Sequence, residues 1–308
     1  MTNYTHNNHL KYTIGGREFG YREDSIEPFR VTVGTVDYER YIRSNYADEL
    51  RRIARLIYKD FGKDLVLFLS GGTDSEICAR NFVDIGVRPE CITIRFKDDY
   101  NLPDVNEAVA ICNELGLKLT FIDFDIKDFF YSGKANDIGA QIQCTQLTYL
   151  MVYSCILDRG RPAIMGGEAL LFKNISKDSS FWHYTFRENE DASAMRFSEK
   201  FNIPFVNEYF SYTPELLLYY LENIDIQALI SDDNNYKLTS VSSKNKILMS
   251  LYPNIRPKKK THGFEELLAF NYEAYNYAEQ YQIKRLEPSL DGIEINHIIK
   301  QLKGQNEN

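Results

Sequence analysis

The chain has 308 residues with 36 lysines and arginines against 44 aspartates and glutamates, a net charge of −8 and a pI near 5.3, which argues against nonspecific binding to duplex nucleic acid. No apolar run reaches the roughly 18 residues of a membrane span, and the opening Met1-Thr-Asn-Tyr-Thr-His has no charged-then-apolar signal pattern. The five cysteines (Cys78, Cys91, Cys112, Cys144, Cys155) form no Cys-x-x-Cys pair and no zinc spacing, so a cytoplasmic protein with buried, reduced thiols and no membrane contact is expected.

Residues 1–36 read as turns and short strands punctuated by Gly15-Gly16 and Gly20. Residues 37–61 read as one helix with Asp37 as N-cap, an apolar stripe of Tyr41, Leu50, Ile53, Leu56 and Ile57, and a stop at Gly62. The period then changes. Residues 65–69 are a strand, 75–85 a helix ended by Gly86, and 91–96 a second strand. Asp104 is the expected cap of a third helix running to Leu115, followed by a strand at 117–122. A helix over 138–157 and a strand at 162–165, ending in Gly166-Gly167-Glu168, complete the alternation. Such alternation predicts an α/β fold with a doubly wound parallel sheet. Ligands of these sheets sit beyond the carboxyl ends of the strands, so Ser70, Arg95 to Asp98, Asp123 and Gly166 to Glu168 are expected to converge on one crevice.

Residues 173–202 are polar and aperiodic, with Trp182, His183, Tyr184 and Arg187, and read as an active-site segment or a surface excursion. Beyond Pro204 the readable elements are helical, at 214–221, 242–252, 265–280 and 292–302. The expected organisation is an N-terminal extension (1–44), an α/β domain (45–172) and a mostly helical substrate or lid region (173–308).

The richest stretch is Ser70-Gly71-Gly72-Thr73-Asp74-Ser75, which follows the apolar Leu65-Val-Leu-Phe-Leu69. Paired glycines keep Cβ atoms away from an anion and allow positive φ, so successive N–H groups can share one concavity. The hydroxyls of Ser70, Thr73 and Ser75 add donors, and the following helix offers its positive end. A carboxylate in such a cradle repels phosphate unless a cation intervenes, so Asp74 implies Mg²⁺. No Gly-x-x-x-x-Gly-Lys-Ser/Thr run occurs, nor a Gly-x-Gly-x-x-Gly after a strand. Glu168 is a metal ligand or a helix-terminal carboxylate. Arg95 and Lys97 contact phosphate or solvent, and Asp123 and Asp125 serve the site or cap the next helix.

The loop resembles the PP-loop of N-type ATP pyrophosphatases, whose fingerprint is Ser-Gly-Gly-x-Asp-Ser after a strand. Downstream stretches resemble, in order, the synthetase domain of the asparagine synthetase family: Thr93-Ile-Arg-Phe96, the helix from Asp104 to Gly116, Met165-Gly-Gly-Glu-Ala-Leu-Leu-Phe172, Pro204-Phe-Val-Asn-Glu-Tyr-Phe210, and Lys246-Ile-Leu through Arg256-Pro-Lys258 to Gly263-Phe264. The resemblance implies an adenine nucleotide alpha hydrolase-like, Rossmann-like sheet with a C-terminal helical region. It implies ATP with its pyrophosphate in the 70–75 loop, adenine on backbone near Leu69 and Ile94, and Gly166 and Gly167 beside the ribose. Mg²⁺ falls to Asp74 and Glu168, and the catalytic cation to Lys258 or Lys260. The implied reaction adenylates a small-molecule carboxylate or amide oxygen for attack by ammonia or an amine. The chain departs from the pattern at Ala169 and Leu170, where the family carries an acidic pair, and at Met249, where it carries arginine. Residue 2 is Thr where a glutaminase domain would expose cysteine, so ammonia would come from solution or a separate protein. A PP-loop enzyme of tRNA or base modification or sulfur transfer, and a non-catalytic ATP-binding protein, are the alternatives.

Overall fold

The computed structural model describes residues 9–23, 27–166, 171–173, 183–207, 209–222, 255 and 290–305. An antiparallel sheet of order β2-β1-β3 comes first, with β1 (Leu10–Ile14), β2 (Arg17–Glu18) and β3 (Phe29–Val33). Alternate residues of β1 and β3 are buried, which is the pleat of a sheet with one face on a core. The helix expected over 37–61 is two helices, α1 (Tyr38–Arg43) and α2 (Tyr46–Phe61). Asp37 caps the first through the Arg40 N–H. Asn45 breaks the run because its side chain takes the Asp48 N–H at 3.0 Å, opening a second helix.

The remaining elements follow in chain order: β4 (Val66–Phe68), α3 (Thr73–Asp84), β5 (Glu90–Phe96), α4 (Leu102–Leu115), β6 (Leu119–Phe124), α5 (Ile126–Tyr131), α6 (Lys134–Ile142), α7 (Leu147–Arg159), β7 (Ala163–Met165), β8 (Leu171–Lys173), β9 (His183–Arg187), α8 (Ser193–Phe201), β10 (Phe205–Val206), α9 (Pro214–Glu222), β11 (Leu290–Glu294) and α10 (Ile295–Leu302). Five strands form a parallel sheet of order β10-β7-β4-β5-β6. Alternate side chains of its strands enter two cores. Leu67, Leu69, Cys91, Ile164 and Val206 pack with residues of α2, α3, α4 and α9. Val66, Phe68, Ile92, Ala163 and Phe205 pack with residues of α5, α6, α7 and α8. The sheet is doubly wound, as the alternation of elements predicts. The chain steps outward from β4 to β5 and β6, then returns to add β7 and β10 on the other side. The order therefore reverses at β4, where open α/β sheets form a crevice at their carboxyl ends.

Three other expectations change. The helix expected over 138–157 is split into α6 and α7 at Gln143, which takes φ of +49°. Its side chain accepts from the Arg22 N–H at 2.6 Å and donates to the Arg22 carbonyl at 2.7 Å. Residues 183–187 are strand β9, 188–192 a π-helical turn and 193–201 the helix α8 rather than an aperiodic excursion, and the Glu188 carboxylate is spent internally on Arg22 and Arg196. Arg196 is fully buried and ion-paired to Glu188 at 3.2 Å. The last helix starts at Ile295, because residues 290–294 pair as β11 with β9 in a sheet of order β11-β9-β8. The helices expected at 242–252 and 265–280 lie outside the described residues. No described helix is long and apolar enough to cross a membrane. All five cysteines are buried and free of disulfides, as expected, and burial pushes the Cys78 thiol well above its usual value.

The N-terminal sheet is docked partly by His9, whose Nε2–H donates to the Ser211 carbonyl at 2.7 Å. That bond fixes the tautomer and leaves Nδ1 as a buried acceptor with no hydrogen-bond partner among the described residues. Burial lowers the imidazole pKa from 6.5 to about 4, opposed by the Ser211 bond. The unfolded chain therefore binds the proton first, and stability is lost as pH falls from about 6.5 towards 4. The wild type should lose about 2–3 kcal/mol more than His9→Asn between pH 7.5 and 4.5. Urea denaturation at the two pH values checks it, and equal losses would refute it.

Candidate active site

The site begins where β4 ends. The Leu69 N–H donates to the Ile92 carbonyl at 2.8 Å, and the Leu69 carbonyl accepts from the Thr93 hydroxyl at 2.7 Å. These two bonds hold the entry to the 70–75 loop against β5. Gly71 takes φ of +76°, and α3 opens at Thr73, two residues earlier than the sequence suggests. Gly72 is the N-cap residue and supplies no side chain, so the first turn of α3 has no side-chain cap. Its leading N–H groups are the donors an anion would take. Ser70 and Ser75 hydroxyls lie 3.3 Å apart across the loop, and the Ser75 hydroxyl donates to the Gly72 carbonyl at 3.0 Å.

Two glycines are fixed by close approach. A Cβ on Gly71 would overlap the Asp104 carbonyl oxygen and lie 3.0 Å from Glu107 Cβ and 3.2 Å from Ala108 N. The first turns of α4 thus back the loop. A Cβ on Gly166, just past β7, would lie 2.6 Å from Ser75 N and 2.7 Å from Ser75 Cα. The structure therefore brings Gly166 to the first turn of α3, joining the ends of β4 and β7 at the strand reversal. Thr73 and Asp74 are half-buried in that turn. Asp74 is close enough to α9 that, with burial as the larger cause, its charge holds the Tyr220 phenol above its usual range. Asp74 is a hard oxygen donor in the first turn of α3, which fits Mg²⁺, an ion usually held by one or two carboxylates together with substrate phosphates. No cluster of three or more metal-ligating side chains occurs among the described residues. Gly167, Glu168, Lys258 and Lys260 lie outside the described residues.

Around β5 the arrangement is more specific than the sequence shows. The Ile94 carbonyl accepts from Asn101 Nδ2 at 2.8 Å, and the Phe96 N–H donates to Asn101 Oδ1 at 2.9 Å. Arg95 pairs with Asp123 at 2.6 Å and lies over the Phe121 ring at 5.2 Å. Lys97 pairs with Asp125 at 2.9 Å, and Lys127 with Asp98 at 3.1 Å. The charges expected to gather around phosphate are thus matched to one another along the β5–β6 edge. The Arg95 guanidinium holds the Asp123 carboxyl below its usual value. Asp125 is held low first by the Asp128 N–H it caps in α5, then by Lys97. Sequence reasoning missed Thr93, Asn101 and Tyr220. For Asn101 a signal existed: an asparagine two residues before Pro103 is a helix start, and α4 does begin there, three residues ahead of the cap expected at Asp104.

No protein-family model and no curated protein sequence matches the chain. Among solved structures, it is similar to a predicted subunit of tRNA methyltransferase from Methanocaldococcus jannaschii, at 15% identity over 69% of this chain and 90% of that one, with a TM-score of 0.38. It is similar to NMN synthetase from Francisella tularensis at 12% identity, over 79% of this chain and 97% of that one, with a TM-score of 0.31. The NH3-dependent NAD synthetase from Campylobacter jejuni is 17% identical over 74% of this chain and 100% of that one, with a TM-score of 0.29.

Proposed function

We propose that the chain is an ATP-dependent, AMP-forming ligase that adenylates a carboxylate or amide oxygen and passes the activated group to ammonia or an amine. The observation that carries this reading is the cradle itself. Gly71 and Gly166, neither with room for a Cβ, frame an uncapped helix N-terminus at the point where strand order reverses. ATP is the substrate such a site suits, its β- and γ-phosphates on the N–H groups and hydroxyls of residues 70–75. The acceptor oxygen then attacks the α-phosphate and pyrophosphate leaves. Negative charge grows on the leaving group, so fixed donors pointing at it lower the barrier. Asp74 would hold Mg²⁺, which neutralises phosphate charge when bound. Lys258 or Lys260 is the proposed cation at the α-phosphate, and ammonia is proposed to come from solution or a separate protein.

Pyrophosphate release is the test, measured with ATP, Mg²⁺ and a panel of carboxylates, with and without ammonium, then with bulk tRNA. Carboxylate-dependent release stimulated by ammonium is expected. Release that requires tRNA would replace ligation with nucleic-acid modification, and ATP binding without release under any condition would leave a binding protein. Asp74→Asn should lower Mg²⁺-dependent release by at least about 10-fold, since a charged ligand contributes more than a neutral one. Wild-type activity in that variant would remove Asp74 from the metal site.

A further inference from the structure

We propose that a cavity beside the N-terminal sheet binds a small organic ammonium ion, with the Asp191 carboxylate and the rings of Tyr12, Phe186 and Tyr212 as its walls. These four side chains line one cavity of about 30 Å³, bordered by β1, β3, β9, α8 and β10. Asp191 comes from the π-helical turn at 188–192, which Glu188 ties to Arg22 and Arg196. Such turns are rare and recur at functional sites. In the parallel sheet β7 lies between β10 and β4, so two strand spacings of about 4.8 Å each separate β10 from the strand that leads into the phosphate loop. The cavity is therefore a separate site from that loop.

Charge decides the sign of the ligand. Asp191 is the acid and Lys11 the base among the lining residues. The Lys11 side chain is 59% exposed and pairs with Glu18 at 3.3 Å. Arg196, whose guanidinium lies over the Tyr12 ring at 5.7 Å, pairs with Glu188 at 3.2 Å. The cations within reach are thus held by other carboxylates, and an anion entering the cavity would meet Asp191. Ring faces attract a cation, most strongly where water is excluded, and Tyr12, Phe186 and Tyr212 are all buried. Burial holds the Tyr12 and Tyr212 phenols above their ordinary value, so at neutral pH both remain hydroxyls able to accept from an ammonium N–H. Size decides the bulk. A water needs roughly 10–15 Å³ of such space, so the cavity takes a head of about two heavy atoms. Methylammonium, a nitrogen joined to a carbon, matches that space, and tetramethylammonium is too bulky for it.

Protein labelled with ¹³C at the methionine methyls reports on the site through Met195, which also lines the cavity. Its resonance, assigned through Met195→Leu, should move saturably with methylammonium chloride. It should stay in place with sodium chloride or tetramethylammonium chloride at the same ionic strength. Asp191→Asn should weaken methylammonium binding by at least about 10-fold, the usual worth of a hydrogen bond to a charged group. A resonance unmoved by methylammonium or moved alike by all three salts would overturn the site, as would wild-type affinity in Asp191→Asn. Should that variant fail to fold, the selectivity of the wild type among the three salts decides by itself. Tripolyphosphate, a chain of phosphates without base or sugar, should also leave Met195 in place, and a shift would overturn the separation of this cavity from the phosphate loop.

Discussion

Gly71→Ala should lower kcat/KM for ATP by about 100-fold and weaken tripolyphosphate binding to a similar degree. Two costs act together. At φ of +76° an alanine pays about 1–2 kcal/mol for left-handed backbone. The new Cβ would also overlap the Asp104 carbonyl oxygen, a main-chain atom of α4 that cannot rotate aside. Relief requires the loop to lift from α4 by about 1 Å, and a displacement of that size at a reacting centre costs roughly 100-fold. Gly160→Ala is the control, because Gly160, which ends α7, also has positive φ, +64°, in the left-handed well, but nothing within 4 Å of its added Cβ. That variant should lose about 1 kcal/mol of stability and keep its nucleotide affinity. Thermal denaturation and tripolyphosphate titration on both variants distinguish a loop effect from a folding effect. Wild-type affinity in Gly71→Ala would mean that the 70–75 loop is not the phosphate site.

The turn at residues 70–75 was legible in the sequence because an apolar strand, a Ser-Gly-Gly turn and a helix start follow one another locally; of the two glycines Gly71 takes positive φ and Gly72 is extended. The sheet was legible for the same reason: β4 to β7 are apolar runs separated by helical periods. Strand order and the reversal at β4 depend on which strands pair, and pairing has no local signature. The charged residues of β5 and β6 left alternatives open in a linear reading, phosphate or solvent for Arg95 and Lys97 and site or helix cap for Asp123 and Asp125; the register sets Arg95 opposite Asp123, and Asp125 caps α5. The polar 173–202 stretch read as an active-site segment or a surface excursion because the partner that buries the Glu188 charge, Arg22, lies 166 residues away in sequence. Asn101 was overlooked because a cap residue that turns its amide onto a strand reads, in sequence, like any other cap.

Glu188→Gln should destabilise the fold by about 3–5 kcal/mol, the usual cost of removing one partner from a buried ion network. Glu188 binds Arg22 through one carboxylate oxygen and Arg196 through the other, and the three side chains are nearly or wholly buried. Arg196 also donates to the Gly20 carbonyl at 2.9 Å and lies over the rings of Tyr12 and Tyr21, at 5.7 and 5.0 Å. The network thus fastens the N-terminal sheet to α8 and, through the Arg22 backbone, to Gln143 at the break between α6 and α7. With a neutral amide at 188, two guanidinium groups remain in a dry interior, and the Arg196 contacts with Tyr12 and Tyr21 are worth only about 1–2 kcal/mol each. Arg22→Met combined with Glu188→Leu should lose less than the single change, since apolar groups of similar volume leave one fewer uncompensated charge and keep the packing. Urea denaturation of the wild type, Arg22→Met, Glu188→Leu and the pair gives the coupling directly, with Glu188→Gln measured beside them. A loss below about 1 kcal/mol for Glu188→Gln would place the network in water. The N-terminal sheet would then be held by its apolar face, Leu10, Tyr12, Ile14, Phe29 and Val31, and by bonds such as that of His9.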